Sequence, residues 1–402
     1  MFRARERGAV SVITVLLMPV LLAFVGLAID VGYLYAVKRK LQSASDALAL
    51  GCARQLQRGM SCTYTAGSDN SDALNLPTLY GLPWSSTSVT LPATNQIKAL
   101  ITQNTPTYFM KILGFSSVNI SASATADFRP TCVYALAATG NNTLTTGTGA
   151  NVQMPDCGAS IQSSSTTALN VLSGATLNTA YIDIVGNRSA TGTVSPEPMV
   201  EVSPIGDPLA NLPAPPPPGA CNFVNYTYRG NQDLTLNPGV YCGGITIGLK
   251  PTVTFNPGLY YLVGGGLKSG AGYSSFIGSG VTFYNTYSPT YPYGPVLIGE
   301  NGPLFQLSAP TTGPYKGILF FQDRNATGAT SFFGGGSAAQ IRMAGTLYFK
   351  TTGVTFNGGS STTGAVYTYI VANNVTFNGL TRINFQAGAS WAPVSGPVRL
   401  IQ

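Results

Sequence analysis

Residues 239–263 read GVYCGGITIGLKPTVTFNPGLYYLV. Runs of β-branched and aromatic residues at 239–247, 253–255 and 258–263 are separated by Gly, Pro and Asn, which end strands and turn the chain. Similar runs stand at 295–298 (PVLI), 317–321 (GILFF) and 346–349 (TLYF), and from about residue 131 onward there is almost no helical period. Val-Thr-Phe recurs at 253–255, 281–283, 354–356 and 375–377, with starts 28, 73 and 21 residues apart. The middle interval is close to three steps of about 24, within the range that marks repeat folds. Asn256, Asn357 and Asn378 follow three of the four copies, where a tight turn can use the tolerance of Asn for left-handed backbone. One to three short strands per repeat predict the coils of a right-handed parallel β-helix. Inward Val, Ile, Leu and Phe would stack in columns, with Thr and Asn outside or at corners. An antiparallel β-sandwich uses the same strands and turns; the period and the 9% charged content favour the β-helix.

Working outward, residues 8–29, GAVSVITVLLMPVLLAFVGLAI, carry no charge. As a helix they would be about 33 Å long, against a hydrocarbon core of about 30 Å. A cleaved secretory signal needs a shorter apolar region and a small-x-small site, so the reading is a retained transmembrane helix at 9–29 behind a cytoplasmic tail, 1–8. Pro19 is tolerated there better than in a soluble helix. Beyond the span, Val31, Leu34, Tyr35, Val37, Leu41, Ala44, Leu48 and Cys52 recur at steps of two to four among Lys38, Arg39, Lys40, Gln42 and Asp46. The helix is therefore expected to continue as one amphipathic rod to about residue 57. The whole is α+β and mostly β.

The formal net charge of +7 is concentrated around the span. Residues 1–40 hold six basic and two acidic groups, leaving 15 basic against 12 acidic groups in the other 362 residues. No phosphate-tracking stripe appears, so nucleic acid is not an expected partner. All six cysteines follow the span; an even count in a Ser/Thr/Gly-rich region suits an oxidising compartment. That places the N-terminus in the cytoplasm and the bulk outside. Six cysteines allow 15 pairings, and sequence neighbours are favoured: Cys52–Cys62, Cys132–Cys157 and Cys221–Cys242. There is no C-x-x-C pair and no His, so neither a metal site nor another cofactor is expected.

Catalysis lacks its usual parts. Without His there is no Ser-His-Asp triad, and no phosphate-cradling loop occurs. After Asp207 the side-chain carboxylates are Asp233, Glu300 and Asp323. Glu300 and Asp323 are 23 residues apart, about one coil, and could stack at about 4.8 Å, near the spacing of a retaining glycosidase pair. Any two residues one coil apart would do the same, and the expectation is a non-enzymatic protein with no catalytic residues.

Residues 7–13 (RGAVSVI), 16–22 (LLMPVLL), 29–35 (IDVGYLY) and 39–47 (RKLQSASDA) together resemble the N-terminus of TadG-like proteins of the bacterial tight-adherence (Tad, or Flp) pilus assembly system. A second resemblance covers 106–115 (PTYFMKILGF) and 117–126 (SVNISASATA). It reads as a short helix broken at Gly114, then a strand with Val118, Ile120, Ala122 and Ala124 on one face. Cleaved pilins carry a Glu five residues after the junction Gly. Ile13 stands there relative to Gly8, which implies a retained anchor rather than cleavage and polymerisation. An Asp-x-Ser-x-Ser run, needed for a von Willebrand factor A metal site, is missing; residues 69–72 (DNSD) are a polar loop. The phrases PGVYCGG at 238–244 and GILFFQDR at 317–324 also occur in such proteins.

The resemblance implies a single-pass protein of the bacterial inner membrane, its bulk periplasmic or surface-directed. It would contribute to pilus assembly and surface adhesion, with the lipid bilayer and minor pilins or other assembly proteins as partners. The expected layout is a pilin-like stalk helix and small module at 30–130, first β-rich coils at 131–206, a Pro-rich linker or loop at 207–220, and a β-helix-like domain at 221–402. A rival reading is an adhesin that meets surface glycans through the loop 284–293, YNTYSPTYPY, using Tyr284, Tyr287, Tyr291 and Tyr293.

Overall fold

The computed structural model describes residues 6–57, 62, 81, 87–93, 96–127, 130–155, 157–269, 274–299, 304–334, 340–357, 368–382 and 398–401. The chain divides into two compact units, Met1–Phe128 with Val398–Gln402, and Arg129–Pro397. The second unit is thus an insertion in the sequence of the first.

The first unit is built on α1 (Glu6–Gln57), one continuous helix that includes Pro19. From Ile13 to Ile29 its residues are exposed apart from Gly26, and the helix is long and apolar enough to cross a membrane. Its second half lies on an antiparallel sheet of β1 (Thr87–Ala93), β2 (Gln96–Pro106) and β3 (Ser117–Asp127). Leu41, Ala44, Leu48 and Cys52 pack there against Ile97, Ile101, Ala122 and Ala126. Small residues on β3 let the helix approach closely, and the Ser45 hydroxyl donates to the Ala122 carbonyl at 3.1 Å. Val31 and Tyr35, expected on the buried face, are exposed; only from Val37 onward does the helix reach the sheet core. The strand Arg399–Ile401 pairs antiparallel with Asp127–Thr125, so the last strand belongs to this sheet rather than to the β-helix-like region expected to extend to 402.

The second unit is a parallel β-helix. One ladder passes from Gly239–Ile247 through Gly258–Val263, Val281–Thr286, Ile318–Gln322, Gln340–Phe349 and Thr368–Ala372. Paired positions are one coil apart: 21 residues for Gly239↔Tyr260, 23 for Gly258↔Val281 and 37 for Phe283↔Phe320, where a coil carries inserted loops. Side chains pointing inward form an aromatic column. Phe283 and Phe320 stack at 5.0 Å between ring centroids, and Phe333, Phe356 and Phe377 follow at 5.6 and 5.5 Å. Each such buried ring is worth roughly 1.5–3 kcal/mol of transfer free energy, so the stack replaces the core that no coil could form alone.

The Val-Thr-Phe copies do not all mark one position in successive coils. Val281–Thr286 lies in the ladder above, Thr252–Phe255 pairs with Ser275–Gly278 on a second face, and only Val354–Asn357 and Val375–Asn378 are register partners. The tripeptide is a generic half-buried strand, inward Val and Phe with Thr between, and every face of the coil needs such strands. Where the last two copies do align, Asn378 donates its amide to Asn357 Oδ1 at 2.8 Å, an outer ladder of the expected kind.

Stacking order departs from chain order. Thr131–Ala135, Leu144–Thr146 and Asn151–Met154 pair with Thr368–Ala372, Val375–Asn378 and Leu380–Arg382. The coils of 131–195 therefore cover the late end of the 239–382 stack, although they precede it in sequence. The chain must then travel back along the stack to begin the coil at Phe223–Tyr228. The Pro-rich stretch after residue 207 lies on this return, as a strap across an outward-facing column in which Tyr261, Tyr284, Phe321, Tyr348, Val371 and Tyr134 are successive register partners. Leu209 is buried against that column.

Three disulfides join Cys52 to Cys62, Cys132 to Cys157 and Cys221 to Cys242, with Cα separations of 5.3, 5.6 and 5.7 Å. The last two each tie one coil to its neighbour, since Thr131 pairs with Gly158 and Val224 pairs with Cys242.

Candidate functional site

The most distinctive surface of the first unit is the turn joining β2 to β3, residues 107–116. The two strands pair without interruption from Gln96↔Asp127 to Pro106↔Ser117, and Thr107 N–H donates to the Ser116 carbonyl at 3.1 Å to close the end. A single 3₁₀ turn, Met110–Leu113, follows and stops at Gly114, whose φ of 93° is left-handed. Gly supplies that conformation without steric cost.

Asp30 holds this turn to α1. Its Oδ1 accepts from Tyr108 N–H at 3.0 Å, and its Oδ2 accepts from the N–H groups of Phe109 and Met110 at 2.8 and 2.6 Å. One carboxylate thus satisfies three backbone donors that open a short helical turn. Four residues earlier on the same helix face, Gly26 lies under Phe109; a Cβ there would stand 2.6 Å from the Phe109 ring. Gly26 and Asp30 are the buried residues between positions 13 and 33, on a stretch otherwise open. Tyr33 and Tyr108 meet edge to face at 5.7 Å. Sequence reasoning identified the segment but gave no role to Asp30; a lone carboxylate at the end of a 22-residue uncharged run was the available signal.

The loop 284–293 does not present four rings together. Tyr284 is buried among Phe321, Tyr348 and Leu209, and burial with Asp323 beside it pushes its hydroxyl pKa up. Tyr291 packs on Val240, Cys242 and Val263. Tyr293 is partly buried, its hydroxyl enclosed, and burial raises its pKa too. Tyr287 alone of the four is exposed. A sugar-stacking platform of these residues is therefore not formed, because the column beneath the strap claims Tyr284 and the coil walls claim Tyr291 and Tyr293.

The carboxylates of the β-helix have structural partners. Asp323 accepts from the Thr286 hydroxyl at 2.7 Å and from Asn325 N–H at 2.9 Å. Asp233 accepts from Thr252 N–H at 3.0 Å, and Asp207 accepts from Leu209 N–H and the Tyr348 hydroxyl at 2.9 and 2.7 Å. Glu300 lies outside the described residues. Among the described residues no cluster of His, Cys, Asp and Glu could hold a metal ion. One open groove of about 810 Å³ runs over successive coils, floored by Thr254, Ile277, Gln306, Ser308 and Arg342. Thr254, Ile277, Gln306 and Arg342 are consecutive register partners.

A long apolar helix that carries a small antiparallel sheet, with a disulfide-tied β-helix inserted in its sequence, defines a helix-led protein of two units. Residues 8–55 match the Flp pilus-assembly TadE/G-like family, and residues 43–126 match the Tad-like Flp pilus-assembly family. The two matches together span α1 and the sheet strands through most of β3. This amino-terminal part of the chain is thus similar to TadE/G-like proteins of Tad/Flp pilus assembly. No curated protein and no solved structure matches the chain.

Proposed function

We propose that the chain is a non-enzymatic scaffold of Tad/Flp pilus assembly, held in the inner membrane by residues 9–29, with its N-terminus cytoplasmic and its β-helix periplasmic or surface-directed. The observation that carries this is α1 itself: its first half exposes Ile13, Leu16, Leu21, Leu22 and Phe24 to the surroundings while its second half is built into a sheet. Such a run is stable only in lipid or against other apolar helices. The coils supply a rigid body for docking minor pilins, and the disulfides suit an oxidising compartment.

A second reading, favoured by the open groove, is direct glycan binding by the β-helix. Polar side chains at coil spacing, Thr254, Gln306 and Arg342, with Ile277 between them, suit an extended saccharide. Replacing the chromosomal gene by the variant Gln306→Ala/Thr254→Ala separates the two. A scaffold keeps both pili and surface attachment, whereas a glycan adhesin keeps pili and loses attachment. Deleting the gene must abolish or alter piliation; normal pili and normal attachment in the deletion strain would overturn the scaffold reading.

A further inference from the structure

The 3₁₀ turn and its flanks carry more exposed apolar surface than a soluble hairpin needs. Ile112 is 83% and Leu113 71% exposed, and Tyr108, Phe109 and Phe115 are exposed beside them. Residues 107–116, TYFMKILGFS, contain one cation, Lys111, and no carboxylate. Lone exposed apolar residues are ordinary, but five on one turn mark an interaction surface.

Position along α1 decides which surface they meet. Phe109 sits on Gly26, three residues inside the end of the uncharged run, which is about 4.5 Å along the helix axis. Asp30, the first charge after that run, is enclosed by the turn through three backbone N–H donors. Tyr33 and Tyr35 of α1, about 4.5 and 7.5 Å beyond Asp30 along the axis, are exposed, as in the aromatic belts of membrane–water interfaces.

We propose that this hairpin tip is a second membrane contact, a wedge seated in the interfacial layer beside α1, with Tyr108, Phe109, Ile112, Leu113 and Phe115 among acyl chains and Lys111 at anionic headgroups. Interfacial elements bury their apolar face about 5–10 Å deep, and Gly26 sets Phe109 at the shallow edge of that layer, about 4.5 Å inside the uncharged run. A bare carboxylate near lipid is costly, and the turn is what satisfies Asp30. The wedge would also fix the angle at which α1 leaves the membrane, because β2 and β3 continue directly from it. The inference rests on the anchoring of α1 proposed above.

The test uses the full chain, in which all six cysteines are paired, so an introduced cysteine can be labelled alone. Ile112→Cys, Val20→Cys and Lys98→Cys, each carrying an environment-sensitive fluorophore, are reconstituted in phosphatidylethanolamine–phosphatidylglycerol vesicles. Iodide serves as the aqueous quencher and brominated acyl chains as the lipid quencher. The expected result is strong lipid quenching with little iodide quenching at Ile112 and Val20, and the reverse at Lys98, which lies at the other end of the hairpin. Iodide quenching at Ile112 with lipid quenching at Val20 overturns the wedge and leaves the anchor. Protection of Ile112 from both quenchers, showing a protein contact instead, also overturns it. Iodide quenching at Val20 overturns the anchor and the wedge together.

Discussion

Arg324 places its guanidinium carbon 5.4 Å from the ring centroid of Tyr348 and donates from Nε to that residue's hydroxyl at 2.9 Å. The same guanidinium donates from Nη2 to the carbonyls of Leu209 and Leu212, at 2.7 Å each. Tyr348 in turn donates to Asp207 Oδ2, on which Lys350 also converges at 3.8 Å. One arginine of the GILFFQDR phrase therefore closes the strap over the outer aromatic column. The strap turns at 208–211, where Ala210 N–H donates to the Asp207 carbonyl at 3.2 Å and Leu212 N–H to the Leu209 carbonyl at 3.0 Å. Its prolines remove backbone donors, so its attachment to the column depends on carbonyls and side chains.

Arg324→Ala should consequently loosen the strap without unwinding the coils. Hydrogen bonds to a charged group contribute about 1.5–3 kcal/mol, and because Arg324 is partly exposed the expected loss is at the lower end, about 2 kcal/mol. Limited proteolysis should show new cleavage within 207–219, while far-ultraviolet circular dichroism stays that of the parent. Arg324→Lys keeps the charge but not the planar fork, and should recover less than half of the loss. Unchanged protease resistance in Arg324→Ala would mean that Leu209 burial and the Tyr348–Asp207 bond hold the strap without it.

The strap also shows where the sequence stopped being informative. The local alphabet was legible: Gly- and Asn-punctuated runs around 239–263 form parallel coils, α1 is one rod, and Gly114 ends its turn as read. Stacking order was not, because it depends on which coil edge offers unpaired backbone. Nothing in 131–135 distinguishes a first coil from one laid on Thr368–Ala372. Copies of Val-Thr-Phe misled for the same reason, since all faces of a coil share one inward–outward alternation. Tyr284 read as a surface aromatic because its burial depends on a strap more than 70 residues upstream. The tip 106–115 was legible as a broken helix, but its hold on Asp30 spans some 80 residues of sequence and leaves no local pattern.

The Cys132–Cys157 bond ties two coils through a sequence separation of 25, both sulfurs being buried. Constraining a loop of that size is worth roughly 2–4 kcal/mol. The double variant Cys132→Ala/Cys157→Ala should lower the denaturant midpoint of the β-helix, with an m-value equal to or slightly above the parent's because the unfolded chain is no longer cross-linked there. Full reduction of the parent should give a larger shift, because it also opens Cys221–Cys242 in the same β-helix. A midpoint within error of the parent would show that the ladder hydrogen bonds alone set the order of these coils.

Alkaline pH should destabilise the β-helix through its buried tyrosines. Burial, with Tyr226 nearby as a second cause, pushes Tyr241 up to about 12 from an ordinary value of 10.0, and burial likewise raises Tyr134, Tyr260 and Tyr348. The unfolded chain releases these protons near pH 10 while the folded chain holds them. Their stabilising contribution is therefore complete below pH 10 and is lost as the pH rises from there through the folded values. Denaturant midpoints measured at pH 8, 10 and 11 should be level over the first interval and fall over the second. Tyr241→Phe forfeits the hydroxyl bond to the Asn237 carbonyl, about 1 kcal/mol at neutral pH, but its midpoint should fall less steeply above pH 10. An equal alkaline slope in that variant would show that the proton on Tyr241 is not among those responsible.

Asp30 and the 3₁₀ turn offer the sharpest test of the first unit, because three amides depend on one carboxylate. Asp30→Ala leaves the N–H groups of Tyr108, Phe109 and Met110 without their acceptor, and Asp30→Asn keeps one acceptor oxygen while removing the charge that strengthens each bond. Amide hydrogen exchange in detergent-solubilised protein should accelerate at these three positions in the order parent, Asn, Ala. Exchange in the β2–β3 ladder between Ile97 and Ile101 should stay as in the parent, since those pairs rest on the helix face formed by Leu41, Ala44 and Leu48. Gly26→Leu approaches the same turn from the other side, driving a side chain into the space held by the Phe109 ring. It should speed exchange at Phe109 and Met110 with Asp30 intact. If Asp30→Ala alone does so, the carboxylate rather than ring contact positions the tip; if Gly26→Leu alone does so, the order of importance is reversed.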